Sequence, residues 1–176
     1  MDVDVCEVIQ TAMDMEDNAR EFYLEAADRA TNPLAKRTFS ALADWELDHK
    51  RLLQSVYDEA EATHSCPALT ELNPEQLEMM QAAAEIFKGA LHDLKGELAP
   101  DSSLDDAYAT AMEKERKAIA FYREQLEATD NENERHLYEF LLGQERAHLN
   151  LLATTEEYLN DQDYWNFKEE MWIVTG

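Results

Sequence analysis

The chain has 176 residues, with 39 acidic side chains against 15 basic ones and a formal net charge of −24. That charge argues against nucleic-acid phosphates and anionic membrane surfaces as partners, and no apolar run approaches the roughly 18 residues that span a bilayer. Two cysteines, Cys6 and Cys66, make neither a disulfide framework nor a four-thiolate metal site. Four glycines, four prolines and 45% hydrophobic residues point to a folded helical chain. The opening segment MDVDVCEV has neither a basic n-region nor an apolar h-region. No export signal is therefore expected, and the expected location is cytoplasmic.

Residues 3–30 lack glycine and proline, and Val5, Ile9, Ala12, Ala19, Phe22, Ala26 and Ala30 recur at helical spacing. Asn32 then reads as an N-cap with Pro33 at the first helical position. A second helix follows to about residue 60, with Phe39, Leu42, Leu53 and Val56 on one stripe. The short turn between them makes the two helices antiparallel neighbours. Residues 61–101 hold Pro67, Pro74, Gly89, Gly96 and Pro100 and cannot be one bundle helix. A shorter helix is expected inside them, from Pro74 to about Leu94, because Asn73 and Gln76 form a capping-box pattern. Ser102 and Ser103, ahead of Asp105 and Asp106, open a third long helix to about Ala128. Asp130 and Asn131, with Glu134, open a fourth to about Leu159. The tail, 161–176, carries Tyr164, Trp165, Phe167, Met171 and Trp172, aromatics expected to cover a bundle end or a subunit interface.

A helix of about 26 residues is on the order of 39 Å long, so the middle connection can cross the whole bundle. The expectation is one all-α domain over residues 1–176: a ferritin-like four-helix bundle, with helical hairpins 3–60 and 102–160 and one long crossover, 61–101.

The two hairpins repeat each other. Thr11-Ala12-Met13 recurs as Thr110-Ala111-Met112, an offset of 99 residues. At the same offset Glu16 becomes Glu115, Phe22-Tyr23 becomes Phe121-Tyr122, Glu46 becomes Glu145 and His49 becomes His148. Glu16 lies on the seam of Ile9, Ala12, Ala19 and Tyr23, and Glu115 on that of Tyr108, Met112, Ala118 and Tyr122. Glu46 with His49, and Glu145 with His148, interrupt the apolar stripes of the other two helices. Six ionisable groups therefore point where a core should be, and burying unpaired carboxylates costs several kcal/mol each or neutralises them.

Two divalent cations neutralise four carboxylates. In Glu-x-x-His the two side chains are separated by about 300° around the helix, so both reach one centre. Such a pair from each of two helices, plus one Glu from each of the others, is the ligand arrangement of di-iron and di-manganese carboxylate bundles. Carboxylate-rich ligation without thiolate suits iron or manganese better than zinc, and calcium does not take imidazole. One Glu-x-x-His in so acidic a chain would read as a solvated surface; two at a fixed offset, each matched by a Glu on the preceding helix, read as a metal site. The expected ligands are Glu16, Glu46, His49, Glu115, Glu145 and His148, for two iron ions or, alternatively, manganese. His64, His92 and His136 lack partner sets and read as solvated, as do Asp14 and Glu113. Tyr23 and Tyr122, seven residues after Glu16 and Glu115, either bond a ligating carboxylate or fill the core. Both cysteines read as reduced thiols, one partly buried.

Glu16 with Tyr23, Glu46-Leu47-Asp48-His49, Glu115 with Tyr122 and Glu145-Arg146-Ala147-His148 resemble the ferritin-like domain of the rubrerythrin family over roughly residues 4–60 and 102–160. The resemblance implies reduction of hydrogen peroxide to water at a di-iron centre, and the expected activity is reduction of peroxide or dioxygen. This chain has no Cys-x-x-Cys pair, so the family's iron–sulfur electron-entry domain is not expected in it. Electrons are expected from an external donor such as a rubredoxin-type protein. The family's peroxidases also carry an extra carboxylate three residues from the helix-three ligand; here those positions are Met112 and Ala118. Two other activities stay open: ferroxidase or iron handling, and stress-response binding with a structural metal pair. A homodimer is expected from the resemblance and from the aromatic tail.

Overall fold

A computed structural model describes residues 5–63, 65–68 and 104–160. Four helices account for nearly all of them: α1 (Val5–Arg29), α2 (Pro33–Thr63), α3 (Asp105–Ala128) and α4 (Glu132–Asn160). Among the described residues none of these is long and apolar enough to cross a membrane.

The turns form as the capping residues dictate. Asn32 Oδ1 accepts the backbone N–H of Leu34 at 2.9 Å and of Ala35 at 3.3 Å, so two of the orphaned donors at the start of α2 are satisfied. Asn131 does the same for Asn133 and Glu134 at the start of α4. Glu134 does not close a capping box; it accepts the hydroxyl of Thr129 at 2.7 Å instead. The start of α3 also differs from expectation. Leu104 occupies its N-cap with no side-chain hydrogen bond, and Asp105 and Asp106 supply negative charge to the first turn. Ser102 and Ser103, the helix expected at 74–94, the aromatic tail, and His64 and His92 lie outside the described residues.

Three residues join α1 to α2 and three join α3 to α4, so each pair is an antiparallel hairpin. The hairpins meet with α1 against α3 and α2 against α4. Chain direction follows from who touches whom. Phe39, early in α2, packs on Tyr108, early in α3, with ring centroids 4.9 Å apart. Thr38, early in α2, pairs with Thr155, late in α4. Helices α2 and α3 therefore run parallel, so α2 ends and α3 begins at opposite ends of the bundle, the helix arrangement of the ferritin-like fold.

The core is split. One apolar cluster gathers Tyr23, Leu34, Phe39, Leu42, Trp45, Tyr108 and Leu159. The other gathers Ile9, Leu52, Val56, Cys66, Tyr122, Leu137 and Leu141. Between them, at mid-height, lies a polar layer of six side chains. Cys66 ties the segment after α2 to the bundle, its carbonyl accepting the Asn133 side-chain amide at 2.8 Å. Burial first, then the charge of Glu134, pushes its thiol up to about 12.

Candidate metal centre

The polar layer takes Glu16 from α1, Glu46 and His49 from α2, Glu115 from α3, and Glu145 and His148 from α4. None is more than 3% exposed. The geometry repeats across the two hairpins. Glu46 presents Oε2 to His49 Nδ1 at 3.1 Å and Oε1 to His148 Nδ1 at 3.5 Å. Glu145 presents Oε1 to His49 at 3.3 Å and Oε2 to His148 at 3.4 Å. These two carboxylates sit between the imidazoles. Glu16 and Glu115 sit outside, each with Oε2 toward the histidine of its own hairpin, at 3.7 Å and 3.8 Å. Ligand atoms of Glu46, His49, Glu145 and His148 all lie within 4.8 Å of one another.

Both tyrosines are hydrogen-bonded to carboxylates of the layer. Tyr122 donates its hydroxyl to Glu16 Oε1 at 2.5 Å, and Tyr23 donates to Glu115 Oε1. Each phenol crosses to the carboxylate of the other hairpin, not to the one seven residues earlier on its own helix.

Protonation shows what such a layer needs. Desolvation, then the charges of Glu145 and Glu46, raise Glu16 and Glu115 well above the ordinary carboxyl range. For Glu46, desolvation and the Glu145 charge push up, but His148 and His49 outweigh them and the carboxyl sits low. Glu145 is likewise opposed by desolvation and lowered by His148 and His49. Desolvation also opposes both imidazolium forms, yet the carboxylates raise His49, through Glu145 first, and His148, through Glu46 first. Glu16 and Glu115 are thus pushed toward the neutral form, while Glu46, Glu145 and the two imidazoles favour each other's charged forms, so the layer's charges tend to cancel. Even so, among the described residues His49 Nε2, Glu145 Oε1 and His148 Nδ1 are buried with no partner in hydrogen-bond geometry, the kind of orphan that calls for an explanation. Two divalent ions with four carboxylates and two neutral imidazoles are equally neutral and employ those donors. The residues fit a pair of metal ions.

The family model described as Rubrerythrin matches residues 7–156, well over half of the chain. The chain belongs to the rubrerythrin family. No curated protein and no solved structure matches it. The family's ferritin-like domain is what the fold above shows, and the buried carboxylate–histidine layer is where its metals would sit.

Other sequence expectations resolve individually. His136, Asp14 and Glu113 are exposed, apart from the layer. Cys66 is buried and Cys6 partly so, and neither is in a disulfide. Ala19 and Ala118, expected on core seams, are only partly buried. Their small side chains leave a gap between α1 and α3, a cavity of about 130 Å³ whose lining includes all four carboxylates. Two features of this rubrerythrin-family site were missed. Trp45 stacks on His148, centroids 5.3 Å apart, and His148 in turn on His49 at 5.0 Å. Its counterpart at the 99-residue offset is Gln144, so the repeat carried no hint of it. The second feature is Lys114 and Lys117 on the cavity lining, which helical periodicity places on a solvated face.

Proposed function

We propose that the chain is a di-iron oxidoreductase that reduces hydrogen peroxide or dioxygen, taking electrons from an external donor such as a rubredoxin-type protein. The observation that carries this reading is the position of Glu46 and Glu145, each offering one oxygen to each histidine within 3.5 Å. The two metals would be held jointly by Glu46 and Glu145, with Glu16 and His49 completing one ligand set and Glu115 and His148 the other. Family membership supports iron and a homodimer; manganese would suit the same donors.

A reduced iron pair held there supplies the two electrons that cleavage of a peroxide O–O bond requires. The chain's own residues do the rest. Tyr23 and Tyr122 hold hydroxyl protons on one oxygen of each outer carboxylate, which aims the second oxygen at the centre. Apolar clusters above and below keep bulk water away from the layer. Small Ala19 and Ala118 keep an approach open for a molecule of a few heavy atoms.

The test is an anaerobic titration of the ferrous-loaded protein with hydrogen peroxide, followed by turnover with excess reductant. One peroxide consumed per two irons, with the iron retained through repeated cycles, is the expected result. Release of oxidised iron or mineral growth would replace this reading with ferroxidase or iron handling. A metal pair inert to oxidants, whose removal melts the fold, would make it structural.

A further inference from the structure

We propose that the cavity between α1 and α3 is the access route to the metal centre, and that Lys114 and Lys117 make it selective against cations. Small anions and neutral molecules pass, while divalent metal ions are slowed. The inference rests on the metal reading above and deepens it, because it names the charge class admitted to the site.

The cavity lies on the repeat. Glu16 and Glu115, Glu46 and Glu145, and Ala19 and Ala118 line it as identical pairs. The remaining two pairs break the match: Met15 is replaced by Lys114 and Asn18 by Lys117. The interior is therefore symmetric and lined by four carboxyl groups, whereas the outer lining gains two positive charges, both from α3. In a chain with 15 basic residues against 39 acidic ones, that placement opposes the overall field.

Lys114 reaches across the opening. Its Nζ donates to the Asn18 carbonyl oxygen on α1 at 3.3 Å and lies 5.4 Å from the Phe22 ring centroid. Both partners are uncharged, so neither cancels the ammonium. Lys117 Nζ stands 3.8 Å from Glu113, with both side chains more than half exposed, a pair that water and salt weaken. Two ammonium groups at a narrow opening repel an approaching divalent ion and draw an anion; field focusing of this kind changes association rates by about 10-fold or more. A lysine that merely strapped α1 to α3 would leave both rates alone.

Cobalt(II) uptake by the metal-free protein, followed by visible absorbance, tests this directly, with azide titration of the cobalt-loaded form as a second reading. Relative to wild type, Lys114→Gln/Lys117→Gln is expected to take up cobalt about tenfold faster at low ionic strength. Lys114→Glu/Lys117→Glu should be faster still, and the differences should shrink in about 1 M salt. Both variants should bind azide more weakly while holding the same amount of cobalt. Lys36→Gln, an exposed lysine at the start of α2, should match wild type. Lys117→Gln alone, at a residue 70% exposed, should show a smaller change of the same sign and cannot be attributed to misfolding. Equal uptake rates and equal azide affinities across all variants would overturn the lysine assignment and leave the metal reading standing. A wild-type protein that takes up no cobalt would overturn both.

Discussion

Tyr122 donates its phenol proton to Oε1 of Glu16 at 2.5 Å, and Oε2 of the same carboxylate lies 3.7 Å from His49 Nδ1. Tyr23 holds Glu115 in the mirrored way from the other hairpin. Burial first, then the charge of the bonded glutamate, pushes both phenols well above their ordinary range, so the protons stay on the tyrosines. Each outer carboxylate is thereby oriented by a helix other than its own, and the two hairpins cannot shift in register without breaking both contacts.

Removing one phenol should therefore loosen a ligand without emptying the site. For Tyr122→Phe we expect cobalt or ferrous affinity to fall by about 10–100-fold, the usual effect of losing an outer-shell hydrogen bond to a ligand. Competition against a chromophoric chelator measures it. Unchanged affinity would mean that the phenol only fills space.

The metal-free protein should lose stability as pH rises. Glu16, Glu115, His49 and His148 all have raised values in the folded state. Each contributes stability that is complete below its unfolded value, near 4.5 for the carboxyls and 6.5 for the histidines, and is lost as pH rises through the folded value. Glu46 and Glu145 are lowered and act oppositely, their contribution fading as pH falls below the ordinary carboxyl range. The slope is up to about 1.4 kcal/mol per pH unit for each proton released. Bound metal displaces the same protons, so its affinity should climb with pH. Thermal melts of metal-free protein at about pH 6 and pH 8.5 check the sign, and Glu16→Gln/Glu115→Gln should flatten the slope. That variant separates the cluster from repulsion over the acidic surface. A metal-free melting point that rises with pH would contradict the assignment.

Gly143 sits within α4, exposed, where an added Cβ would meet no atom of the described residues within 4 Å. Gly143→Ala should stabilise the protein by about 0.5–1 kcal/mol through the backbone entropy that glycine otherwise loses. Denaturant unfolding at constant metal content measures this, and cobalt stoichiometry should be unchanged. A loss of stability would show that α4 needs the freedom of glycine at that position.

Much of this was legible in the sequence because it was written twice. The 99-residue offset carries Glu16, Tyr23, Glu46 and His49 onto Glu115, Tyr122, Glu145 and His148, and buried charges on apolar stripes announced the layer. Asn32 and Asn131 marked the turns through cap chemistry that is local and therefore readable. What stayed hidden depends on neighbours distant in the chain. Periodicity puts Ala19 and Ala118 on an inward face, but whether two small side chains meet or leave a gap depends on how far apart α1 and α3 sit. Trp45 follows a helical stripe like any core aromatic, and nothing local says that the ring beside it is His148. The crossed pairing of the tyrosines likewise required the antiparallel run of α1 and α3, which the length of the middle connection permitted but did not impose.

The central claim is that the six buried side chains hold two metal ions. Elemental analysis after anaerobic loading with ferrous iron and desalting tests it most directly, on the wild type and on Glu46→Ala/His49→Ala. The account predicts two irons per chain in the wild type and a sharp loss in the variant, with the helical signal of both compared by circular dichroism. A folded wild-type protein that retains no iron would contradict it.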